Sequence, residues 1–383
     1  MSGNGRRTSG TFSDEEYRWR FERTRAWLDE QQLDVLVAYS YKSALTAYWT
    51  GYSPRASVTN AAILAVDRMG RALHVTRLPL HLATATTGPR QLEQACPAAS
   101  SLAVASLEDM VDVLQRWLPG GVQVGVAAYP PEAGLLSHLD RVGDWRDCTR
   151  ELSRLISTRS PEQVTVLREA AEVAQAAFDA GLDAARIGGT AREAAAAAEA
   201  VMRERGGVVH CFAGVSDQQG RSLLHARDEQ LASGMMLTLE TIPEAGLFCP
   251  EVISTVYLGA VPSPVNGIDT DVRECLSETI AMLDAATSPA DVVRSVSSML
   301  VQAGLPPDAA IRLGHGTGLD NIEPPETFLG TDHEPFGADT VISIHPNAVV
   351  PSSATVIRGG TVVVRERGCE PLFRLPQGPI VVE

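Results

Sequence analysis

The sequence predicts a two-domain α/β protein of the α+β kind: an N-terminal α/β domain, then a domain of long helices followed by strands. Three observations carry this. At 383 residues the chain is longer than the roughly 250–300 residues at which single cores split into domains. Apolar strand-like runs alternate with amphipathic stretches through the first part of the chain, as in an α/β layer. At Ser160-Pro161-Glu162 that alternation gives way to long helical patterns, and after Gly206-Gly207 to strands and glycine turns.

Each element has a local reason. Met1 to Ser13 is polar and arginine-bearing with no apolar core, so residues 1–13 read as a disordered leader and not a secretion signal. Asp14 to Gln31 places charged and aromatic residues at helical spacing. Leu33–Tyr39, Ala61–Val66, Arg71–Val75 and Val122–Val126 are short apolar runs that suit strands, and Leu107–Trp117 is an amphipathic helix. At the domain change, serine caps, proline takes the first helical turn and Glu162 suits the positive helix end. That helix runs to about Ala185. Gly188-Gly189 breaks it, and Thr190 caps an alanine-rich helix from Ala191 to Arg205. Further helices are expected from about Val272 to Leu283 and from Pro289 to Ala303, with strands from Val341 on. The domains are therefore placed at residues 14–157 and 158–383.

Composition excludes several functions. The net charge of -15 opposes binding to nucleic acid or to an anionic membrane. No apolar run reaches the roughly 18 residues of a membrane span. The six cysteines show no CxxC spacing, which favours free thiols in a reducing cytoplasm over a disulfide scaffold or zinc knuckle. Lys42 is the sole lysine, so a lysine nucleophile is excluded almost everywhere.

The most informative motif is Gly314-His315-Gly316-Thr317-Gly318. A histidine between two glycines has little steric cover, and its flanking backbone is free to take unusual conformations. Glu323, just before Pro324-Pro325, either faces the same pocket as a substrate-binding carboxylate or shapes the loop.

The order of motifs resembles the creatinase, prolidase and aminopeptidase P group of pita-bread metallopeptidases over nearly the whole chain. The resemblance is carried by Tyr48-Trp49-Thr50-Gly51-Tyr52, Leu155 to Glu162, Leu224-His225, Gly314-His315-Gly316, Ile344-His345-Pro346 and Gly368 to Leu372. It implies a creatinase-type N-terminal domain, a pita-bread C-terminal domain, a homodimer, a small-molecule substrate and C–N bond hydrolysis.

Residue by residue, the resemblance also implies an altered metal site. The two metal-binding aspartates of the peptidases match Glu240 and Glu251, and the histidine matches His315. The first glutamate is replaced by His345, the bridging glutamate by Gly359 and a further histidine by Ile322. Ordinary peptidase activity at a two-metal site is therefore not expected, because a glycine cannot bridge two ions. Two readings stay open. In one, Glu251, His315 and His345, with Glu240, bind one divalent ion, either zinc, iron or manganese, and the reaction is hydrolysis or that of an oxygenase or lyase. In the other the pocket is metal-free, as in creatinase, and His225 moves the proton. Arg358 and Arg55 are the expected clamps for an anionic substrate group, Arg55 by reaching across the implied dimer. Outside enzymes, the alternative is a binding module that has lost its chemistry.

Overall fold

Ser13 opens the first helix: its Oγ accepts from the Glu16 amide at 3.1 Å. The computed structural model describes residues 12–41, 43–51, 61–77, 99–128, 133–216, 228, 230–306, 308–350, 354–375 and 377–383. Residues 1–11, most of the expected leader, lie outside these. Phe12 and Ser13 belong to the folded unit, since Phe12 is buried with the Arg20 guanidinium 4.0 Å from its ring centroid. Contacts divide the chain into Met1–Ile156 and Ser157–Glu383. Among the described residues no helix is long and apolar enough to cross a membrane.

In the first unit, α1 (Asp14–Glu30) precedes β1 (Val35–Tyr41), the short α2 (Ala47–Thr50), β2 (Ala61–Asp67), β3 (Ala72–Arg77) and β4 (Ala99–Val104). Then come α3 (Leu107–Trp117), β5 (Val124–Ala128), α4 (Ala133–Leu139), β6 (Trp145–Asp147) and α5 (Thr149–Ser157). The strands form one mixed sheet in the order β4-β3-β2-β1-β5-β6. β2 is buried along its whole length, which is why its sequence is a continuous apolar run without alternation. α3 turns Met110, Val111 and Leu114 inward, and they join the core with Ile63 and Val75.

In the second unit, α6 (Pro161–Ala184) starts at Ser160, whose Oγ accepts from the Gln163 amide at 3.1 Å. α7 (Ala191–Arg205) starts with a reciprocal capping box between Thr190 and Glu193. The two helices and the sheet meet closely at Gly181, where a Cβ would lie 2.8 Å from Leu239 Cδ2 and 3.3 Å from the Ala194 carbonyl oxygen. α8 covers Ser263–Met282, beginning well before the expected Val272. Its first turn holds proline and then Asn266-Gly267, residues that suggest a turn when read without the fold. α9 (Pro289–Gln302) is capped by Ser288 and Asp291.

The second sheet comprises β7 (Gly207–Ser216), β8 (Met236–Glu244), β9 (Val252–Leu258), β10 (Gly314–Gly316), β11 (Val341–Ile344) and β13 (Ala354–Val364), ordered β10-β11-β13-β9-β8-β7. β12 (Asn347–Val350) and β14 (Cys369–Pro371) pair with β13, and β15 (Ile380–Val382) pairs with β9. All these pairings are antiparallel except β15 with β9. One face is covered by α6: Leu239 meets Gly181, and Thr241 Oγ1 donates to the Ala174 carbonyl at 2.9 Å. Glu240 lies between them, so its side chain projects from the opposite face.

Candidate functional site

Strand register assembles the site in two neighbouring rows on the face away from α6. In antiparallel sheets, directly paired residues project from the same side. One row runs from His315 to Ser343 and on to Thr361. It ends at Glu251, whose amide donates to Thr361 Oγ1 at 2.8 Å while the Thr361 amide donates to the Glu251 carbonyl at 3.0 Å. The next row pairs Phe212 with Glu240, Glu240 with Ile253, and Ile253 with Gly359. His345 follows directly after β11 and is anchored by its amide, which donates to the Leu313 carbonyl at 2.9 Å.

Glu251, His315 and His345 are all buried, and one ligand atom from each lies within 4.8 Å of the others. The imidazole centroids are 5.3 Å apart. His315 Nδ1 stands 2.9 Å from the Gly316 carbonyl, which can only accept, so this nitrogen carries a hydrogen and Nε2 is left as the ring atom that faces the cluster. That Nε2 lies 3.2 Å from Glu251 Oε2, outside hydrogen-bonding alignment. Glu251 Oε2 and His345 Nδ1 have no hydrogen-bond partner among the described residues. Buried polar atoms of this kind are costly unless something satisfies them, and two imidazoles with one carboxylate suit a zinc, iron or manganese ion.

Charge states suit ligation as well. Burial works against the Glu251 carboxylate, but the approach of His315 and the fields of His345 and Arg312 reverse this and hold it below the usual range. Burial pushes His345 down to about 4, leaving it neutral near pH 7. Glu240 is held above the usual carboxylate range by burial and by the Glu251 charge, with His210 opposing. His210 Nε2 lies 3.5 Å from Glu240 Oε2, and this contact raises the imidazole.

The glycines beside His315 serve close approach. A Cβ on Gly314 would lie 2.5 Å from the Ser343 carbonyl oxygen, and one on Gly316 would lie 2.6 Å from that of Pro324. Neither has a positive φ, so the unusual conformation expected there is replaced by tight packing.

The structure brings together Glu251, His315 and His345, with Glu240 in the adjoining row, and moves two expected residues elsewhere. Arg358 does not serve as an anion clamp here. It is fully buried, and its Nη2 and Nε bind Asp269 Oδ1 on α8 at 2.6 and 3.2 Å while Nη1 donates to Ser254 Oγ at 2.6 Å. Glu323 does not present a free carboxylate to substrate. Its oxygens accept from Arg159 Nη2 at 3.1 Å and from the Leu319 and Asp320 amides at 2.7 and 3.0 Å, which makes it the loop-shaping residue of the two alternatives. His225 and Arg55 lie outside the described residues. A cavity of about 310 Å³ is lined by Phe178, Ser254, Arg358 and Phe373, among others, and by none of the three clustered ligands.

Sequence reasoning missed His210 and Arg312. His210 is two residues from Phe212, the partner of Glu240, a signal visible only once β7 and β8 are aligned. Arg312 is exposed, has a positive φ of 43°, and its field reaches both Glu251 and His345. Its position three residues before His315 was a usable signal.

Residues 165–366 match the model of metallopeptidase family M24. The chain is 23% identical over 365 residues to the Xaa-Pro dipeptidase of Pyrococcus furiosus, covering 93% of this chain and 97% of that one. Among solved structures, the dipeptidase PepE of Mycobacterium ulcerans gives a TM-score of 0.80 at 19% identity, covering 97% of this chain and all of that one (100%). The X-Pro aminopeptidase of Thermotoga maritima gives 0.78 at 17% identity, covering 94% and 99%. These likenesses bear out the expected fold: a mixed α/β N-terminal domain and a C-terminal domain built on a curled antiparallel sheet.

Proposed function

The chain belongs to metallopeptidase family M24, and from that membership we propose a hydrolase that cleaves a C–N bond in a small, carboxylated, nitrogen-containing substrate. The observation that supports this reading is the buried Glu251–His315–His345 group. Such a cluster with open valences is expensive to keep unless a ligand fills it. One divalent ion, zinc, iron or manganese, would be held by these three side chains, and it supplies Lewis acidity and a more acidic water.

The other residues then have distinct tasks. Glu240 exchanges a proton with His210, whose half-exposed ring connects to solvent. Arg312 draws in the substrate's anionic group, the role first expected of Arg358. His225 and Arg55 keep the proton-moving and anion-binding roles that the resemblance implies. In a metal-free variant of this reading His225 alone moves the proton. We read the molecule as cytoplasmic, from the absence of paired cysteine spacing, and as a homodimer, as the resemblance implies.

The test is turnover followed by liquid chromatography and mass spectrometry, with each metal added in turn. The panel holds Xaa-Pro dipeptides, N-acyl amino acids and guanidino acids. Hydrolysis of at least one class is expected, falling by about 100-fold or more in Glu240→Gln, in line with loss of an acid–base group. No hydrolysis of any class by wild-type protein would remove the reading. The two-imidazole, one-carboxylate donor set favours one second reading, an oxygen-activating iron enzyme, which substrate-dependent oxygen uptake by iron-loaded protein would reveal.

A further inference from the structure

We propose that this site accepts a single metal ion and is closed to a second. The proposal shares its three ligands with the hydrolase reading and rests on that reading for nothing else.

The donor set has capacity for one ion. Glu251, His315 and His345 converge, and this set includes two buried atoms, Glu251 Oε2 and His345 Nδ1, that lack hydrogen-bond partners among the described residues. A pair of divalent ions sits roughly 3.5–4 Å apart and needs anionic oxygens between them to offset their repulsion. The adjoining row should provide those oxygens. It places Ile253 beside Glu240 and Gly359 beside Ile253. Ile253 has no donor atom, and it is buried.

Gly359 has neither a donor nor the room for one. A Cβ there would lie 1.9 Å from the Ile344 carbonyl oxygen and 2.6 Å from His345 Cα. Both are backbone atoms, so no rotamer change relieves the clash. The chain segment that delivers the His345 imidazole thus fills the space a bridging side chain on β13 would need. Glu240 does not restore the balance, because no oxygen of its carboxylate joins the three ligand atoms within 4.8 Å. It stands 3.5 Å from His210 Nε2 instead.

The charge count agrees. One carboxylate and two imidazoles offset part of one divalent cation, and the exposed Arg312 adds positive field at Glu251 and His345. Nitrogen donors at two of three positions also favour zinc or ferrous iron over manganese, which prefers oxygen.

The test is equilibrium dialysis of the full chain against zinc, cobalt or manganese, with bound metal counted by plasma mass spectrometry. One equivalent at saturation is expected, unchanged in Glu240→Gln. Affinity should drop by about 100-fold in His345→Ala, at or beyond the upper end of what outer-shell changes cause. His345→Glu should keep one equivalent and shift preference from zinc toward manganese. Circular dichroism checks each fold, and if His345→Ala does not fold, His345→Glu decides. Two equivalents in wild type, none in wild type, or loss of metal in Glu240→Gln would each overturn the proposal. Turnover on the same samples separates the two claims. One equivalent without hydrolysis leaves the single-ion site standing and removes the hydrolase, and two equivalents with hydrolysis does the reverse.

Discussion

Glu323 Oε2 accepts a hydrogen bond from Arg159 Nη2 at 3.1 Å across 164 residues of sequence, tying the loop after β10 to the residue before the α6 cap. Both side chains are buried. Glu323→Ala should therefore cost about 3–5 kcal/mol, the range for removing one partner of a buried ion pair, in urea unfolding. A variant of wild-type stability with only a raised KM would return Glu323 to substrate binding.

Arg358 and Asp269 set up a second test of the same kind. Tyr257 Oη and Arg273 Nε also donate to Asp269, at 2.7 and 2.9 Å, so the carboxylate is the centre of a buried network. Arg358→Ala should lower stability by several kcal/mol, about 3–5. Arg358→Leu combined with Asp269→Leu should recover part of that loss. A double variant that loses the sum of the two single losses would show that the pair is not coupled.

Two glycines should respond in opposite directions. Gly359→Ala meets backbone atoms and is expected to destabilise by about 2–3 kcal/mol or more. Gly267 lies inside α8, and a Cβ there would meet nothing within 4 Å, so Gly267→Ala should stabilise by about 0.5–1 kcal/mol. Thermal melts of the two variants beside wild type read both signs, and a neutral Gly359→Ala would contradict the packing.

His74 gives a pH dependence clear of the metal site. It is buried on β3, and burial pushes it from 6.5 down to about 4. The folded state keeps the ring neutral while the unfolded chain takes up a proton below pH 6.5. This contribution to stability is whole above pH 6.5, falls as the pH drops, and levels off below about 4. It amounts to about 3 kcal/mol across that window. His74→Gln should flatten the slope of stability between pH 6.5 and 4, as measured by urea midpoints at each pH. An unchanged slope would show that other groups carry it.

His210 should titrate above 6.5 because Glu240 faces it. Nuclear magnetic resonance of the ring nitrogens should show its midpoint fall in Glu240→Gln. A midpoint that does not move would separate the two residues and remove the proton exchange between them.

Helix caps and buried strands were the legible part of the fold. Ser160 and Thr190 announce their helices through side chains that bond the first-turn amides, and such signals are local. The start of α8 was hidden because Asn266-Gly267 suggests a turn, and only packing against the sheet makes it helical. In the site, Glu240, Glu251, His315 and His345 could be named from motif order. The roles of Arg358 and Glu323 could not, because their partners, Asp269 and Arg159, are 89 and 164 residues away. A charged residue beside a motif looks the same in sequence whether its partner is a ligand or a helix.

Arg358 and Gly359 are consecutive on β13 and face opposite sides of the sheet. If β13 slipped by one residue against β9, the faces would exchange. A guanidinium would then enter the ligand side, and Asp269 would keep only Arg273 as a cationic partner. The ion pair behind the sheet is thus a keying pin. It holds the strand alignment on which the spacing of Glu251, His315 and His345 depends, from a buried position on the opposite side of the sheet. Exchanges on the ligand side can therefore alter chemistry without unseating the strands, while a change at the pin would misalign every donor at once.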